Sequence, residues 1–125
     1  GNYVNGAGTS VKGSVEYAVA ELGVSLIMIL GHSQCGAVKA AIQHIHDKDA
    51  LPGAINDLVN AIKPAVLASE HMPGDPLENA IRANVKRGVD RLDDLQPIVE
   101  PAVKGGKVKI VGGVYDLATG KVQMV

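Results

Sequence analysis

The sequence predicts an α/β fold with a mainly parallel β-sheet core flanked by helices, and three observations support this. Leu26 to Leu30 form an uninterrupted apolar run that ends at Gly31, which is typical of a strand buried on both faces of a parallel sheet. Helix-like apolar patterns lie before and after this run. A second apolar run, at residues 107–111, follows further helical patterns, as the alternation of strands and helices in an α/β protein requires.

Length and composition narrow the class of protein. The 125 residues suffice for a single domain, residues 1–125, whose core is aliphatic because Phe and Trp are absent. The net charge of -1 does not favour a nucleic acid or membrane partner, and no apolar run is long enough to span a membrane. One Cys excludes an intramolecular disulfide and fits a reducing compartment, so we expect a cytoplasmic location.

The first elements are predicted to be a loop, a helix and a strand. Residues 1–8 are rich in Gly and Asn and are typical of a loop. Thr9 and Ser10 are candidate caps for a helix that runs to about Leu22 and ends at Gly23. Its apolar stripe has helical spacing and consists of Val15, Ala18, Val19 and Leu22. The strand at residues 26–30 follows.

The middle of the chain is predicted to be helical. One helix runs from about Gln34 to His46, and a polar loop follows it. Residues 53–70 carry a second helical pattern, in which Pro64 predicts a kink or a division into two pieces. The segment Asp75-Pro76-Leu77-Glu78 predicts the start of a third helix, with Asp as the cap and Pro at the first position.

The third helix should reach about Leu95. Its charged residues predict a solvated face with ion pairs at helical spacing; they are Arg82, Lys86, Arg87, Asp90, Arg91, Asp93 and Asp94. Pro97 begins a short helix that ends at Gly105. A strand at residues 107–111, a turn at residues 117–120 and an edge strand at residues 121–125 complete the prediction.

His32 and Cys35 are the candidate metal ligands. They follow a buried strand, where open α/β sheets place their chemistry, and imidazole and thiolate both bind zinc. The spacing alone also fits a buried Cys beside a His that is hydrogen-bonded to the backbone. The next helix begins here, and its N–H groups favour a thiolate or a bound anion. The segment Gly31-His-Ser-Gln-Cys35 matches neither a nucleophile elbow nor a Rossmann phosphate loop.

Three segments carry a resemblance to a known family: residues 31–36 (Gly-His-Ser-Gln-Cys-Gly), residues 14–18 (Ser-Val-Glu-Tyr-Ala) and residues 112–120. Together they resemble the β-class carbonic anhydrases over nearly the whole chain. The resemblance implies a zinc cofactor held by His32, Cys35 and a further Cys, with water or an Asp in the fourth position. It implies reversible hydration of CO2 to bicarbonate and a proton.

The resemblance also assigns other positions. The family's Cys-x-Asp-x-Arg motif does not occur in these residues, so the chain corresponds to the C-terminal two-thirds of a family member, and no catalytic residue is assigned. Tyr17, Gly36 and Asn2 match positions beside the substrate pocket, although Tyr17 also fits a packed helix residue and Gly36 a glycine required by the turn. The remaining histidines are expected on the surface rather than as substitute ligands; they are His44, His46 and His71.

Several functions therefore stay open at this stage. The favoured one is carbonic anhydrase activity with CO2 and bicarbonate as ligands. Alternatives are a truncated or degenerate scaffold without catalysis, a carbon disulfide or carbonyl sulfide hydrolase, and an anion-binding module that uses the helix start after Cys35. The resemblance implies a homodimer or a higher homo-oligomer. An uncovered apolar edge at residues 26–30 also predicts an oligomer.

Overall fold

The computed structural model describes residues 2–5 and 8–125, and these confirm the α/β class. The elements in chain order are α1 (Asn2–Asn5), α2 (Thr9–Ala20), β1 (Leu26–His32), α3 (Gly36–Asp47), α4 (Ala54–Ser69), α5 (Pro76–Asp93), α6 (Val99–Lys104), β2 (Lys109–Tyr115) and β3 (Val122–Met124). No helix within these described ranges is both long enough and apolar enough to cross a membrane.

The strands form a sheet in the order β1-β2-β3. β1 and β2 are parallel, with Leu26 opposite Lys109 and His32 opposite Tyr115, so their carboxyl ends meet at one edge. β3 is antiparallel to β2. The predicted bounds of the second strand, residues 107–111, were wrong, because β2 begins at Lys109 and continues to Tyr115. It continues through Gly112 because helix α5 packs directly against that glycine, where a Cβ would lie 2.8 Å from a side-chain atom of Val85.

The sheet is covered on one face only by the described residues. Ile29 of β1 and Ile110 of β2 are buried against Val85 and Leu92 of α5. On the opposite face, Leu26, Met28 and Leu30 are 59%, 42% and 47% exposed. The prediction that β1 is buried on both faces is therefore wrong for this structure, since alternate side chains of a strand point to opposite faces.

Helices α3, α4 and α5 form a second apolar cluster beside the sheet. Its buried members are Cys35, Val38, Ala41, Val59, Ile62, Val66, Ala80 and Ile81. The predicted start of α5 is confirmed: Asp75 is the N-cap, its Oδ2 accepts a hydrogen bond of 3.1 Å from the Glu78 N–H, and Pro76 is the first helical residue.

Several local predictions were wrong. Residues 2–5 form a helical turn rather than a loop, while residues 1, 6 and 7 of that predicted loop lie outside the described residues. Thr9 and Ser10 lie inside α2, whose N-cap is Gly8, so they do not cap it. Helix α4 is one continuous helix through Pro64, so the division into two pieces was wrong, and the alternative of a kink stays a prediction. Close packing on both sides of the proline, at Ile62 and Ala65, holds the helix together despite the lost N–H donor.

The charged face of α5 is only partly solvated. Arg87 is half-buried, and its Nη1 donates a 2.9 Å hydrogen bond to the carbonyl oxygen of Ala61 on α4. Desolvation raises the pKa of the Asp93 carboxyl, and the neighbouring charges of Asp90 and Asp94 add to that effect. Within residues 2–5 and 8–125, no ion pair joins the charged residues of this face, so the predicted helical ion pairs do not form.

Candidate metal centre

The two candidate ligands lie on either side of the turn between β1 and α3. His32 is the last residue of β1, and Cys35 is the N-cap of α3. The Ser33 N–H donates a 2.8 Å hydrogen bond to the Tyr115 carbonyl, which ties the turn to the end of β2. Gln34 adopts a left-handed φ of 55°, and this reverses the chain between the two ligands.

His32 and Cys35 line the same small cavity, of about 170 Å³. Apolar side chains form much of the remaining wall, namely Leu30, Val38, Ile81 and Val85. Cys35 is only 6% exposed, whereas His32 is exposed. The two side chains therefore face one cavity at the end of β1.

The hydrogen bond of His32 determines which ring nitrogen can bind a metal. Its Nδ1 lies 2.9 Å from the carbonyl oxygen of Ser33. A carbonyl oxygen can only accept, so Nδ1 carries the proton and Nε2 keeps its lone pair. A backbone partner on the non-ligating nitrogen is the usual arrangement around a metal-bound histidine.

The sulfur of Cys35 also has a polar partner. The Nδ2 of Asn2 donates a hydrogen bond of 3.5 Å to Sγ. A donor on the sulfur holds it in one orientation, as outer hydrogen-bond partners do for metal ligands. Together with the available Nε2 of His32, this donor set fits a zinc ion, of which the chain would hold two of four tetrahedral positions.

No third ligand from the described residues joins these two. The one group of His, Cys, Asp or Glu side chains whose ligand atoms lie within 4.8 Å of one another, in the ranges that the structure describes, consists of His44, Asp47 and Asp49. His46 and His71 lie on the surface, as expected, with side chains 91% and 94% exposed. The described residues therefore bring together two candidate ligands, His32 and Cys35.

The three predicted pocket residues do not all line the cavity. Asn2 lines the cavity beside Cys35, and Gly36 is the first residue of α3. Tyr17 lies on α2, is 59% exposed and does not line this cavity. A substrate role for each of the three stays a prediction.

Sequence reasoning missed Asn84, which lines the cavity from α5 and is 3% exposed. One signal could have revealed it: Asn84 falls in the apolar stripe of α5, between Ile81 and Gly88 at helical spacing. A polar side chain in such a stripe must find buried hydrogen-bond partners.

Comparisons with known proteins identify the family of the chain. A family model described as carbonic anhydrase matches residues 1–122. The carbonic anhydrase of Mycolicibacterium smegmatis is 32% identical over 115 residues, which are 92% of this chain and 56% of that protein. The chain thus spans about half the length of the curated relatives that it matches.

Two sets of solved structures share the fold. The β-carbonic anhydrase of Coccomyxa, solved with acetazolamide, aligns with a TM-score of 0.78 and 25% identity, over 98% of this chain and 58% of that one. A tetrameric β-carbonic anhydrase of Sordaria macrospora aligns with a TM-score of 0.79 and 20% identity, over 95% and 61%. With a family model that matches residues 1–122 and a shared three-dimensional fold, the chain belongs to the β-class carbonic anhydrases.

Proposed function

We propose that the chain supplies the His-x-x-Cys half of a zinc centre that catalyses the reversible hydration of CO2 to bicarbonate and a proton. The observation that carries this proposal is the shared cavity of His32 and Cys35, in which His32 Nε2 is available and Cys35 Sγ accepts a hydrogen bond. Family membership supports the reaction type. Zinc in such a centre supplies Lewis acidity that brings the pKa of water towards neutrality.

The residues of the chain would prepare the site in three ways. The Ser33 carbonyl holds the His32 ring in one tautomer, and Asn2 orients the sulfur of Cys35. The apolar wall at Leu30 and Val38 restricts bulk water and suits a small apolar substrate.

Gly36 supports binding of the anionic product. A Cβ added at Gly36 would meet no atom within 4 Å, and its backbone does not adopt the left-handed conformation that favours glycine. Neither packing nor the turn therefore requires a glycine there. Bare backbone at the start of the 12-residue helix α3 leaves N–H groups accessible to bicarbonate.

His32 and Cys35 would fill two positions of the centre, which needs further ligands to be complete. The 125 residues contain a single Cys and no Cys-x-Asp-x-Arg motif. With two ligands the ion would be weakly held, and positioning and preorganised electrostatics supply most of an enzyme's acceleration. We therefore expect the 125-residue chain to hydrate CO2 no faster than free zinc, and a longer chain that includes the family motif to be active.

The test is stopped-flow CO2 hydration combined with metal analysis, on both lengths of chain. In the longer chain, His32→Ala and Cys35→Ala should each lose bound zinc and activity, whereas His46→Ala, a matched change at an exposed histidine, should keep both. A longer chain without zinc would support the non-catalytic scaffold instead. Zinc with turnover of carbon disulfide or carbonyl sulfide but not CO2 would support the alternative substrates. Full activity and one tightly held zinc in the 125-residue chain would show that another residue or subunit completes the site.

We further propose that the protein is a homo-oligomer located in the cytoplasm. The exposed apolar side chains of β1 support an oligomer, because a partner chain would remove them from water. The tetrameric Sordaria macrospora proteins share the fold. The single Cys fits a reducing compartment.

A further inference from the structure

Three asparagines form a continuous chain of hydrogen bonds that ends on the sulfur of Cys35. Asn5 Nδ2 donates to Asn84 Oδ1 at 2.7 Å, and Asn84 Nδ2 donates to Asn2 Oδ1, also at 2.7 Å. Asn2 Nδ2 then donates to Cys35 Sγ at 3.5 Å. Asn5 and Asn84 are 4% and 3% exposed, so water does not compete for them. We call Asn5, Asn84 and Asn2 the asparagine relay.

The direction of the asparagine relay is determined by a backbone group. Asn5 Nδ2 also donates to the backbone carbonyl of Asn84 at 2.9 Å, and a carbonyl can only accept. The amide nitrogen of Asn5 must therefore face Asn84, which in turn presents Oδ1 to Asn5 and Nδ2 to Asn2. Asn2 must then present Oδ1 to Asn84, which leaves its Nδ2 facing the sulfur of Cys35.

We propose that Asn84 is a positioning residue for Cys35: through Asn2 it keeps an N–H donor, rather than an oxygen, directed at the sulfur. The inference rests on the proposed role of Cys35 as a zinc ligand. Hydrogen bonds in such a chain polarise one another, which strengthens the final donor. A donor on the sulfur orients it towards the cavity that it shares with His32.

The asparagine relay can be reversed with one substitution. Asn84→Asp keeps the size of the side chain and, when ionised, still accepts from Asn5 but cannot donate to Asn2. Asn2 must then turn its nitrogen towards residue 84 and its oxygen towards Cys35. Asn2→Asp places an acceptor against the sulfur. Asn2 is half-buried, so this substitution disturbs folding less than a change at the buried Asn84. Asn60→Asp is the matched control, since Asn60 is exposed on α4.

The first measurement is zinc affinity, by competition with a chromophoric chelator, in the longest native chain that contains these residues. Asn84→Asp and Asn2→Asp should each weaken zinc binding by roughly 10–100-fold, as expected for the loss of an outer partner of a metal ligand. Asn60→Asp should stay within about twofold of wild type. The double variant should be no weaker than the worse single variant, because both substitutions break one relay.

The second measurement needs no metal. The side-chain NH2 resonances of Asn2 are followed by NMR in the metal-free protein. Cys35→Ala should shift them in the wild-type background, where the Asn2 nitrogen faces the sulfur, and should leave them nearly unchanged in Asn84→Asp, where that nitrogen faces residue 84. A merely structural role for Asn84 predicts a shift in both backgrounds. Circular dichroism verifies folding, and the zinc affinity of Asn2→Asp still decides the question if Asn84→Asp does not fold.

The two proposals can fail separately. Wild type without zinc affinity, combined with an Asn2 resonance shift that depends on residue 84, overturns the zinc centre and retains the asparagine relay. Normal zinc affinity in all variants, with the Asn2 resonances shifted by Cys35→Ala in both backgrounds, overturns the asparagine relay and retains the zinc centre.

Discussion

Replacing Gly31, the residue before His32, by alanine should destabilise the protein by about 1–3 kcal/mol, the usual cost of overpacking a core. A Cβ at Gly31 would lie 2.6 Å from Val85 Cγ2 and 3.5 Å from Ile81 Cγ2. The shorter distance is far inside the roughly 3.5–4.0 Å at which carbon atoms pack best. Val85 cannot move aside easily, because it is 1% exposed in the cluster between α5 and the sheet.

A double-mutant cycle isolates this contact. Val85→Ala alone should cost about 2 kcal/mol, from roughly 0.8 kcal/mol for each methyl group removed from the core plus a cavity contribution. In Gly31→Ala/Val85→Ala the atom that causes the clash is absent. The double variant should therefore be more stable than the sum of the single effects predicts, by about 1 kcal/mol or more. Urea unfolding followed by circular dichroism measures all three variants.

Gly13→Ala is the matched control. A Cβ at Gly13, inside α2, would meet no atom within 4 Å, so the substitution should stabilise the protein by about 0.5–1 kcal/mol through helix propensity. The reasoning is wrong if Gly31→Ala changes the free energy of unfolding by less than about 0.5 kcal/mol. Strict additivity in the cycle would equally contradict the proposed clash.

Three further predictions concern the helix cap, an acid-sensitive turn and the exposed sheet face. Asp75→Ala should lower the free energy of unfolding by about 1 kcal/mol in urea titrations, because it removes the hydrogen bond that caps α5; an unchanged midpoint would contradict this. The Thr119 hydroxyl, followed by the Ala118 N–H, lowers the pKa of the Asp116 carboxyl below its usual 3.8. The ionised carboxyl therefore stabilises the fold above its unfolded-state pKa, and this stabilisation is lost as the pH falls through the lower folded pKa. Asp116→Asn should thus lower the Tm at neutral pH, with a difference that disappears in acid; a difference that persists there would refute the assignment. Met28→Glu places a charge on the exposed sheet face and should dissociate an oligomer in light scattering, and an unchanged mass would remove this face from the interface.

The features predicted correctly from the sequence have local causes. The strand at residues 26–30 follows from one apolar run, and the placement of His32 and Cys35 follows from the turn at its end. The start of α5 depends on Asp75 and Pro76, which act within one helical turn. Each of these signals lies within a few neighbouring residues, so no knowledge of the tertiary structure is needed to interpret it.

The features that the sequence did not predict depend on contacts between distant residues. In the sequence, Gly112 is a residue type that weakens strands. In the structure, β2 continues through it because α5 packs directly against it. The helical turn at residues 2–5 is too short to be stable alone, and it is held where Asn5 meets Asn84, 79 positions along the chain. The second face of β1 was predicted to be buried because an apolar run does not reveal which elements will cover it.

Helix α5 connects the stability of the fold to the geometry of the candidate metal centre. It approaches β1 closely through glycines on both elements: a Cβ at Gly88 of α5 would lie 3.0 Å from Ile29 Cγ2, and a Cβ at Gly31 would clash with Val85. The same helix carries Asn84, whose side chain reaches the sulfur of Cys35 through Asn2. A substitution that separates α5 from β1 should therefore displace the asparagine relay as well as weaken the core. Loss of the Asp75 cap, at the N-terminal end of α5, should lower the free energy of unfolding and leave zinc affinity unchanged. The two effects can therefore be measured separately.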